Sequence, residues 1–210
     1  MSNANIANII SVMGSTGTGK TQWLMRRIAK PKRKRILVWS PKEPIDRYAQ
    51  RIGGHLVTTT EEMRQRLIAA KGGPICLVFR PPAGRKLATP LFDAFCRLAR
   101  AAGNLTVIAE EIHTVTLPSA APDGWSELTM MGRGYGCEVY GLSQRPASVD
   151  KDFFGNCTLH HCGRLGYEED AKVMAKLLGV QPADLLALPD LHYIERERPP
   201  APAKRGVLRF

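Results

Sequence analysis

Residues 14–21 read Gly14-Ser15-Thr16-Gly17-Thr18-Gly19-Lys20-Thr21 and fit the phosphate-binding pattern of Gly, four residues, Gly, Lys and then Ser or Thr. Residues 6–13 form an apolar, β-branched run typical of a strand, and residues 22–29 read as the helix that follows. The glycines let backbone N–H groups approach phosphate oxygens, and the helix N-terminus adds partial positive charge. We therefore predict that all eight residues bind a nucleotide, with Lys20 at the β- and γ-phosphates and Thr21 at Mg²⁺.

The length and composition of the chain predict one globular domain. The chain has 210 residues, of which 44% are apolar, and a chain of this size buries roughly 70% of its unfolded surface. No apolar run approaches the length that spans a bilayer, and no Lys or Arg precedes the first apolar stretch, so we expect neither a transmembrane segment nor a secretory signal. Five cysteines, several of them inside apolar runs, predict reduced thiols.

The formal net charge of +11 indicates a polyanionic partner, most simply nucleic acid, although an anionic membrane surface would also be attracted. Two segments concentrate the positive charge. Residues 26–35 hold seven basic side chains and no acid, and residues 80–86 read Arg-Pro-Pro-Ala-Gly-Arg-Lys, which predicts an exposed loop. Either segment is a candidate contact to a phosphate backbone, and the first equally suits the cationic end of a helix followed by a solvated connector.

Cys157, His160, His161 and Cys162 invite comparison with a zinc site, but they lack the paired spacing of a zinc finger. Side chains alternate between the two faces of a strand, so these four would not converge on one ion. We therefore favour an ordinary buried strand here.

Apolar runs alternate with helical patterns along the whole chain. Strands are predicted at residues 36–39, 55–58, 75–79, 105–109, 138–142, 158–162 and 192–195, with helices near 60–70, 90–102, 126–132 and 167–178. This alternation predicts an α/β fold with a mostly parallel sheet and helices on both faces. We place one domain at residues 1–198 and interpret the basic, Pro-rich residues 199–210 as a peripheral arm.

Polar side chains follow two of these predicted strands at their carboxyl ends, where open α/β sheets bind ligands. Glu110 and Glu111 follow residues 105–109. We assign Glu110 to the metal and Glu111 to the general base that accepts a proton from the attacking water. Gln144 follows the next strand and suits a γ-phosphate sensor, while Arg133 suits a cation supplied to a neighbouring subunit.

Together these motifs resemble the FtsK/HerA superfamily of P-loop ATPases. The resemblance rests on residues 14–21, on Val107-Ile108-Ala109-Glu110-Glu111, on Gly132-Arg133-Gly134 and on Gly141-Leu142-Ser143-Gln144-Arg145-Pro146, and it covers roughly residues 6–195. The small size, without a DNA-clamp domain, is similar to the genome-packaging ATPases of tailless internal-membrane phages and their archaeal viral relatives. One departure is the pair Glu110-Glu111, where the family usually has Asp-Glu.

The resemblance implies a RecA-like core, a ring of five or six subunits, and ATP-driven movement of double-stranded DNA. It implies that Lys20 and Thr21 bind phosphate and Mg²⁺, that Glu111 is the base and Gln144 the sensor, and that Arg133 acts in trans. Arg145 and Arg164 are alternative trans-acting residues. It further implies action in the host cytoplasm or at a virion vertex, beside portal, vertex or membrane-associated virion proteins.

Other functions remain open from the sequence. A phage assembly or secretion ATPase of the zonular-occludens-toxin-like type shares the motor motifs but is normally tied to a membrane. A P-loop small-molecule kinase would need no DNA, and the Gln144-Arg145-Pro146 run argues against it. The paired acids argue against a module that only holds nucleotide, and no Asn-Lys-x-Asp run supports a GTPase.

Overall fold

The computed structural model describes residues 8–29 and 35–209, and within them the side chain of Arg133 is left outside the description. The strands are β1 Ile9–Met13, β2 Arg35–Trp39, β3 His55–Val57, β4 Ile75–Phe79, β5 Thr106–Ala109, β6 Glu138–Ser143, β7 Leu159–Gly163, β8 His192–Glu197 and β9 Lys204–Val207. The helices are α1 Lys20–Ala29, α2 Tyr48–Ile52, α3 Thr60–Ala69, α4 Arg85–Ala102, α5 Asp123–Met131, α6 Lys151–Asn156, α7 Glu168–Leu178 and α8 Pro182–Leu186.

The strands form a sheet in the order β3-β4-β2-β5-β6-β1-β7-β8-β9. Pairing is parallel from β3 to β7 and antiparallel for β8 and β9. Each face of the sheet carries its own apolar core, one packed against α1 and α2 and the other against α3, α4, α5 and α7. This arrangement confirms the predicted α/β fold, because parallel strands buried on both faces require helices on each side.

The sheet order places the predicted motifs beside one another. Strand β1, which leads into residues 14–21, lies next to β6, and β6 lies next to β5. Because these strands are parallel, their carboxyl ends meet at one edge, and a ligand held there would touch residues from all three.

Three helices begin earlier than predicted. Helix α1 begins at Lys20 rather than at residue 22, and helix α5 begins at Asp123 rather than near residue 126. Helix α4 begins at Arg85, so the predicted loop at residues 80–86 ends in a helical turn, and Pro90 lies inside the helix. The prediction was wrong at this point because the apolar spacing that indicates the helix begins only at Leu91, whereas the first turns from Arg85 are mostly exposed.

Part of the C-terminal segment that we interpreted as a peripheral arm, strand β9, belongs to the sheet. Strand β9 pairs with β8, and the backbone N–H of Leu208 donates to the carbonyl oxygen of Leu191 at 2.9 Å. Leu208 is buried, and a Cβ placed on Gly19 would lie 2.4 Å from its Cδ1. The strand was hidden because it is short, basic and preceded by prolines. The domain boundary after residue 198 remains a prediction.

Strand β7 holds the two histidines that suggested zinc. His160 Nδ1 shares a hydrogen bond of 2.8 Å with Ser11 Oγ, while His161 lies 3.0 Å from Glu195 Oε1 and stacks on Trp23. Each imidazole therefore serves a separate packing contact. The described part of the chain contains no group of three or more His, Cys, Asp or Glu side chains arranged to hold a metal.

Candidate nucleotide-binding and hydrolysis site

Residues 14–19 connect β1 to α1, and Lys20 and Thr21 are the first two residues of the helix. Gly17 and Gly19 have φ angles of 81° and 91°, which favour glycine and turn the loop sharply. The Lys20 ammonium donates to the carbonyl oxygens of Gly14 at 2.7 Å and Ser15 at 3.0 Å, so it lies folded over the loop. Burial lowers the pKa of Lys20, although Glu110 and Glu111 act in the opposite direction.

One cavity of about 440 Å³ brings eight of the predicted site residues together, while Gly14, Ser15 and Thr18 of the loop lie outside its lining. Its lining includes Lys20, Thr21, Glu110, Glu111 and Gln144, which come from three separate segments of the chain. It also includes residues that the sequence did not single out, namely Gln22, Lys42, Ile45, Asp46 and Leu191. The cavity therefore combines a phosphate loop, two acids and an amide in one volume.

Glu111 is buried and has a left-handed backbone, with φ 51° and ψ 44°. This conformation is uncommon for a residue with a side chain, and such strain concentrates at functional sites. Its Oε1 accepts hydrogen bonds from Lys42 Nζ and from Gln144 Nε2, while His113 Nδ1 lies 3.3 Å from its Oε2. Burial acts to raise the pKa of Glu111, but Lys42, His113 and Gln144 outweigh it and lower the pKa. The carboxylate is therefore ionised at neutral pH and able to accept a proton.

Glu110 has the opposite electrostatic character. Its side chain is buried, and Oε1 accepts a hydrogen bond from the Tyr48 hydroxyl. Burial raises the pKa of Glu110 to about 7, with help from Asp46 and Glu111 and against the effect of Tyr48 and Lys20. Adjacent acids with pKa values moved in opposite directions suit different roles, as we predicted for this pair.

The oxygen atoms near Glu110 fit a magnesium ion. The Tyr48 hydroxyl donates to Glu110, and the predicted hydroxyl and carboxylate ligands, Thr21 and Glu110, line the same cavity. Asp46 lines the same cavity, and burial raises its pKa too. Two carboxyl groups that ionise reluctantly would gain from a bound divalent cation, and hard oxygen donors are what Mg²⁺ prefers.

Stability should depend on pH through Glu110. The folded pKa of about 7 lies above the ordinary value of 4.5, so folding takes up a proton and the free energy of unfolding falls as pH rises through this window. Glu110→Gln stays neutral and should escape this loss, gaining up to about 3 kcal/mol over the wild type between pH 5 and pH 8. Urea unfolding at several pH values, without nucleotide or Mg²⁺, measures the difference. Parallel pH profiles for both proteins would contradict the expected pKa.

Gln144 joins the phosphate loop to the predicted base. Thr16 Oγ1 donates to its Oε1 at 2.8 Å, and its Nε2 donates to Glu111. A group that enters between the loop and Glu111 would change the hydrogen bonds of this amide. The sensor role that the resemblance implied for Gln144 stays a prediction.

The alternative arginines differ in how they are held. Arg145 Nε donates to the fully buried Asp170 at 2.8 Å, and its guanidinium lies 4.3 Å from the centre of the Tyr167 ring. Arg164 pairs with Asp190 at 2.7 Å. Arg133 lies in the 3₁₀ turn Gly132–Tyr135, which precedes β6, and its action on a neighbouring subunit stays a prediction.

Comparisons with known proteins give one sequence relative and several structural ones. The chain is 26% identical to Protein P9 of Pseudoalteromonas phage PM2 over 186 residues, which cover 86% of this chain and 79% of P9. No family model matches the chain.

Among solved structures, the genome packaging NTPase B204 from Sulfolobus turreted icosahedral virus 2, in complex with AMP, has a TM-score of 0.74 and 12% identity, covering 97% of this chain and 98% of B204. VirB4 of Thermoanaerobacter pseudethanolicus has a TM-score of 0.62 and 8% identity, covering 100% of this chain and 92% of VirB4. The fold is therefore the RecA-like P-loop NTPase fold of B204 and VirB4, which confirms the fold class and the resemblance predicted from the motifs.

Proposed function

We propose that this protein is an ATP-hydrolysing motor that moves double-stranded DNA during the packaging of a viral genome. The observation that carries the proposal is the single cavity in which residues from the phosphate loop, Glu110, Glu111 and Gln144 meet. The fold supports it, because B204 is a packaging NTPase whose structures hold AMPPCP and ATP-γ-S. The weak sequence relationship to a phage protein and the net charge of +11 agree with the proposal.

The proposed hydrolysis follows from the charges in the cavity. The loop N–H groups and Lys20 hold the β- and γ-phosphates, and Gln144 orients a water molecule beside the γ-phosphorus. Glu111 takes one proton from this water as the oxygen attacks, and the bond between the β,γ-bridging oxygen and the γ-phosphorus breaks to release ADP. Lys42 must exchange its contact with Glu111 for one with the incoming water or phosphate.

The residues that would hold Mg²⁺ are Thr21 and Glu110, with Asp46 as an additional carboxylate. When bound there, the ion would neutralise negative charge on the phosphate oxygens. Tyr48 fixes the Glu110 carboxyl group by its hydrogen bond, which limits the orientations that this group adopts.

The proposed assembly is a homo-oligomeric ring, most simply a pentamer or hexamer, in which Arg133 reaches the site of the next subunit. Portal, vertex or membrane-associated virion proteins are the proposed docking partners, in the host cytoplasm or at the virion vertex. Across the described residues, no helix has the length and apolar character needed to cross a membrane.

Double-stranded DNA should stimulate ATP hydrolysis. The stimulation should weaken with salt, because phosphate contacts by Lys and Arg release counterions, and apparent DNA affinity should drop at least about tenfold between 50 and 200 mM salt. Steady-state turnover with and without DNA measures this, beside a mass measurement with nucleotide present.

Nucleosides added in place of DNA provide the control for a different reaction. Phosphate transfer to a nucleoside would favour a small-molecule kinase. If DNA does not change ATP turnover at any salt concentration, the motor proposal is wrong.

A further inference from the structure

A second cleft adjoins the hydrolysis site and has no role so far. It has a volume of about 580 Å³ and lies between residues 80–85, which follow β4, and the turn that follows Glu111. Arg80 and Arg85 line it, and within the described chain its lining contains no acidic side chain. Pro81 and Pro82 stiffen the rim, so the two positive charges are held at the surface rather than folded inward.

Hydrogen-bond donors surround this cleft. Helix α4 is 18 residues long and begins at Arg85, with no side-chain cap in the described structure, so its positive end faces solvent at the rim. Trp39 lines the floor, and its Nε1 is buried without a hydrogen-bond partner among residues 8–29 and 35–209. Two arginines, a helix N-terminus and an unpaired indole N–H together favour an anionic ligand.

Arg85 connects this cleft to the turn beside the predicted base. Its Nη2 donates to the carbonyl oxygen of His113 at 2.7 Å, and its Nη1 donates to the carbonyl oxygen of Thr116 at 3.0 Å. Both acceptors are neutral. A phosphodiester group is negatively charged and can accept two parallel hydrogen bonds from one guanidinium, so a DNA strand in the cleft would compete for Arg85.

The turn held by Arg85 carries a direct contact to Glu111. His113 Nδ1 lies 3.3 Å from Glu111 Oε2 and shares a hydrogen bond of 2.9 Å with Ser143 Oγ. Lys42 and Gln144 hold Oε1 of the Glu111 carboxylate, while Oε2 is buried and has no hydrogen-bond partner within residues 8–29 and 35–209. A base in this state is kept from water, and loosening the turn would expose its Oε2.

We propose that Arg85 is a DNA-sensing latch. Backbone phosphate in the cleft draws the Arg85 guanidinium away from the carbonyl groups of His113 and Thr116, and the released turn lets Glu111 accept a proton from water. This inference rests on the proposed DNA-dependent hydrolysis and adds the residue that reports DNA to the site. Arg85 acts through His113 and Glu111, so it is a positioning residue.

Arg85→Gln tests the latch directly. Loss of two hydrogen bonds that restrain the turn should raise turnover without DNA by about fivefold, and the ratio of DNA-stimulated to basal turnover should fall toward one. Arg85→Lys keeps the charge but does not bridge both carbonyl groups. It should raise basal turnover while the DNA concentration for half-maximal stimulation stays near the wild-type value.

Arg64→Gln is the matched control. Arg64 lies on α3, where its side chain pairs with Glu61 and does not line the cleft. Its basal and stimulated turnover should equal those of the wild type. Arg80→Gln removes a positive charge from the cleft and breaks no hydrogen bond to the turn. It should raise the DNA concentration needed for half-maximal stimulation and leave the maximal stimulation unchanged. Thermal unfolding midpoints of all variants separate these effects from loss of folding.

The outcomes separate the latch from the motor. If DNA stimulates the wild type, and Arg85→Gln has the same basal turnover and the same stimulation ratio as the wild type, the latch proposal is wrong. The motor proposal is unaffected by that result. Lower basal turnover with the ratio unchanged also overturns the latch, since Arg85 would then only support the turn. A wild type that does not respond to DNA overturns both proposals.

Discussion

Replacing Glu111 by Gln should leave ATP binding intact and slow hydrolysis at least about 100-fold, the scale expected for loss of a general base. The amide is uncharged and does not accept the proton that Glu111 would take from water. The structure supports this role because Lys42, His113 and Gln144 keep the pKa of Glu111 low, so the carboxylate is available at neutral pH. Single-turnover hydrolysis and equilibrium nucleotide binding, measured on the same preparation, separate the two effects.

Glu110→Gln is the matched control for this prediction, since it makes the same chemical change at the adjacent residue. The Tyr48 hydroxyl donates to the Glu110 carboxyl group, and a bound cation would favour the ionised form of this buried acid. We expect the main effect of Glu110→Gln to be a higher Mg²⁺ requirement. If Glu110→Gln blocks hydrolysis with binding intact, while Glu111→Gln remains active, the two roles are reversed.

Replacing Lys20 by Ala should weaken nucleotide binding about 100-fold or more, because two charge-assisted hydrogen bonds to phosphate are lost. In the structure the Lys20 ammonium lies over the loop, bonded to the carbonyl oxygens of Gly14 and Ser15. From this position the Lys20 ammonium group would turn toward the β- and γ-phosphates when a nucleotide binds. Fluorescent-nucleotide titration measures the loss, and ATP turnover should disappear with it.

Lys176→Ala provides the comparison, since it removes an exposed lysine from α7, outside the cavity lining. This variant should bind nucleotide as the wild type does. Wild-type binding and turnover in Lys20→Ala would exclude Lys20 from the site and with it the phosphate-loop interpretation of residues 14–21.

Local patterns were enough to predict the phosphate loop, the parallel sheet and the paired acids. A phosphate loop needs particular residue types at fixed spacing between a strand and a helix, so all its information lies within a few consecutive residues. The carboxyl ends of β5 and β6 could be expected to meet β1 for the same reason, because parallel strands bring their ends to one edge. The sequence alone therefore predicted that Glu111 and Gln144 lie at this edge of the sheet.

The sequence did not predict the hydrogen-bond partners that shift the pKa values of Glu110 and Glu111. Lys42 lies 69 residues before Glu111, and Tyr48 lies 62 residues before Glu110, yet each makes a direct hydrogen bond. Both belong to the segment after β2, which looked like an ordinary Pro-broken connection. In the structure β2 lies beside β5, which brings this segment to the same edge of the sheet, but the sequence did not show that pairing or mark which side chains turn inward.

By itself, the sequence determined the glycine-rich loop pattern of residues 14–21 and its place between the first strand and the first helix of a parallel sheet, because that feature lies in consecutive residues. Only the tertiary structure decided that Glu110 and Glu111 have pKa values moved in opposite directions, that Leu208 packs on Gly19, and that Arg85 holds the turn beside the base. Burial and hydrogen-bond partners depend on which distant segments the sheet order brings together, and no local pattern encodes that order.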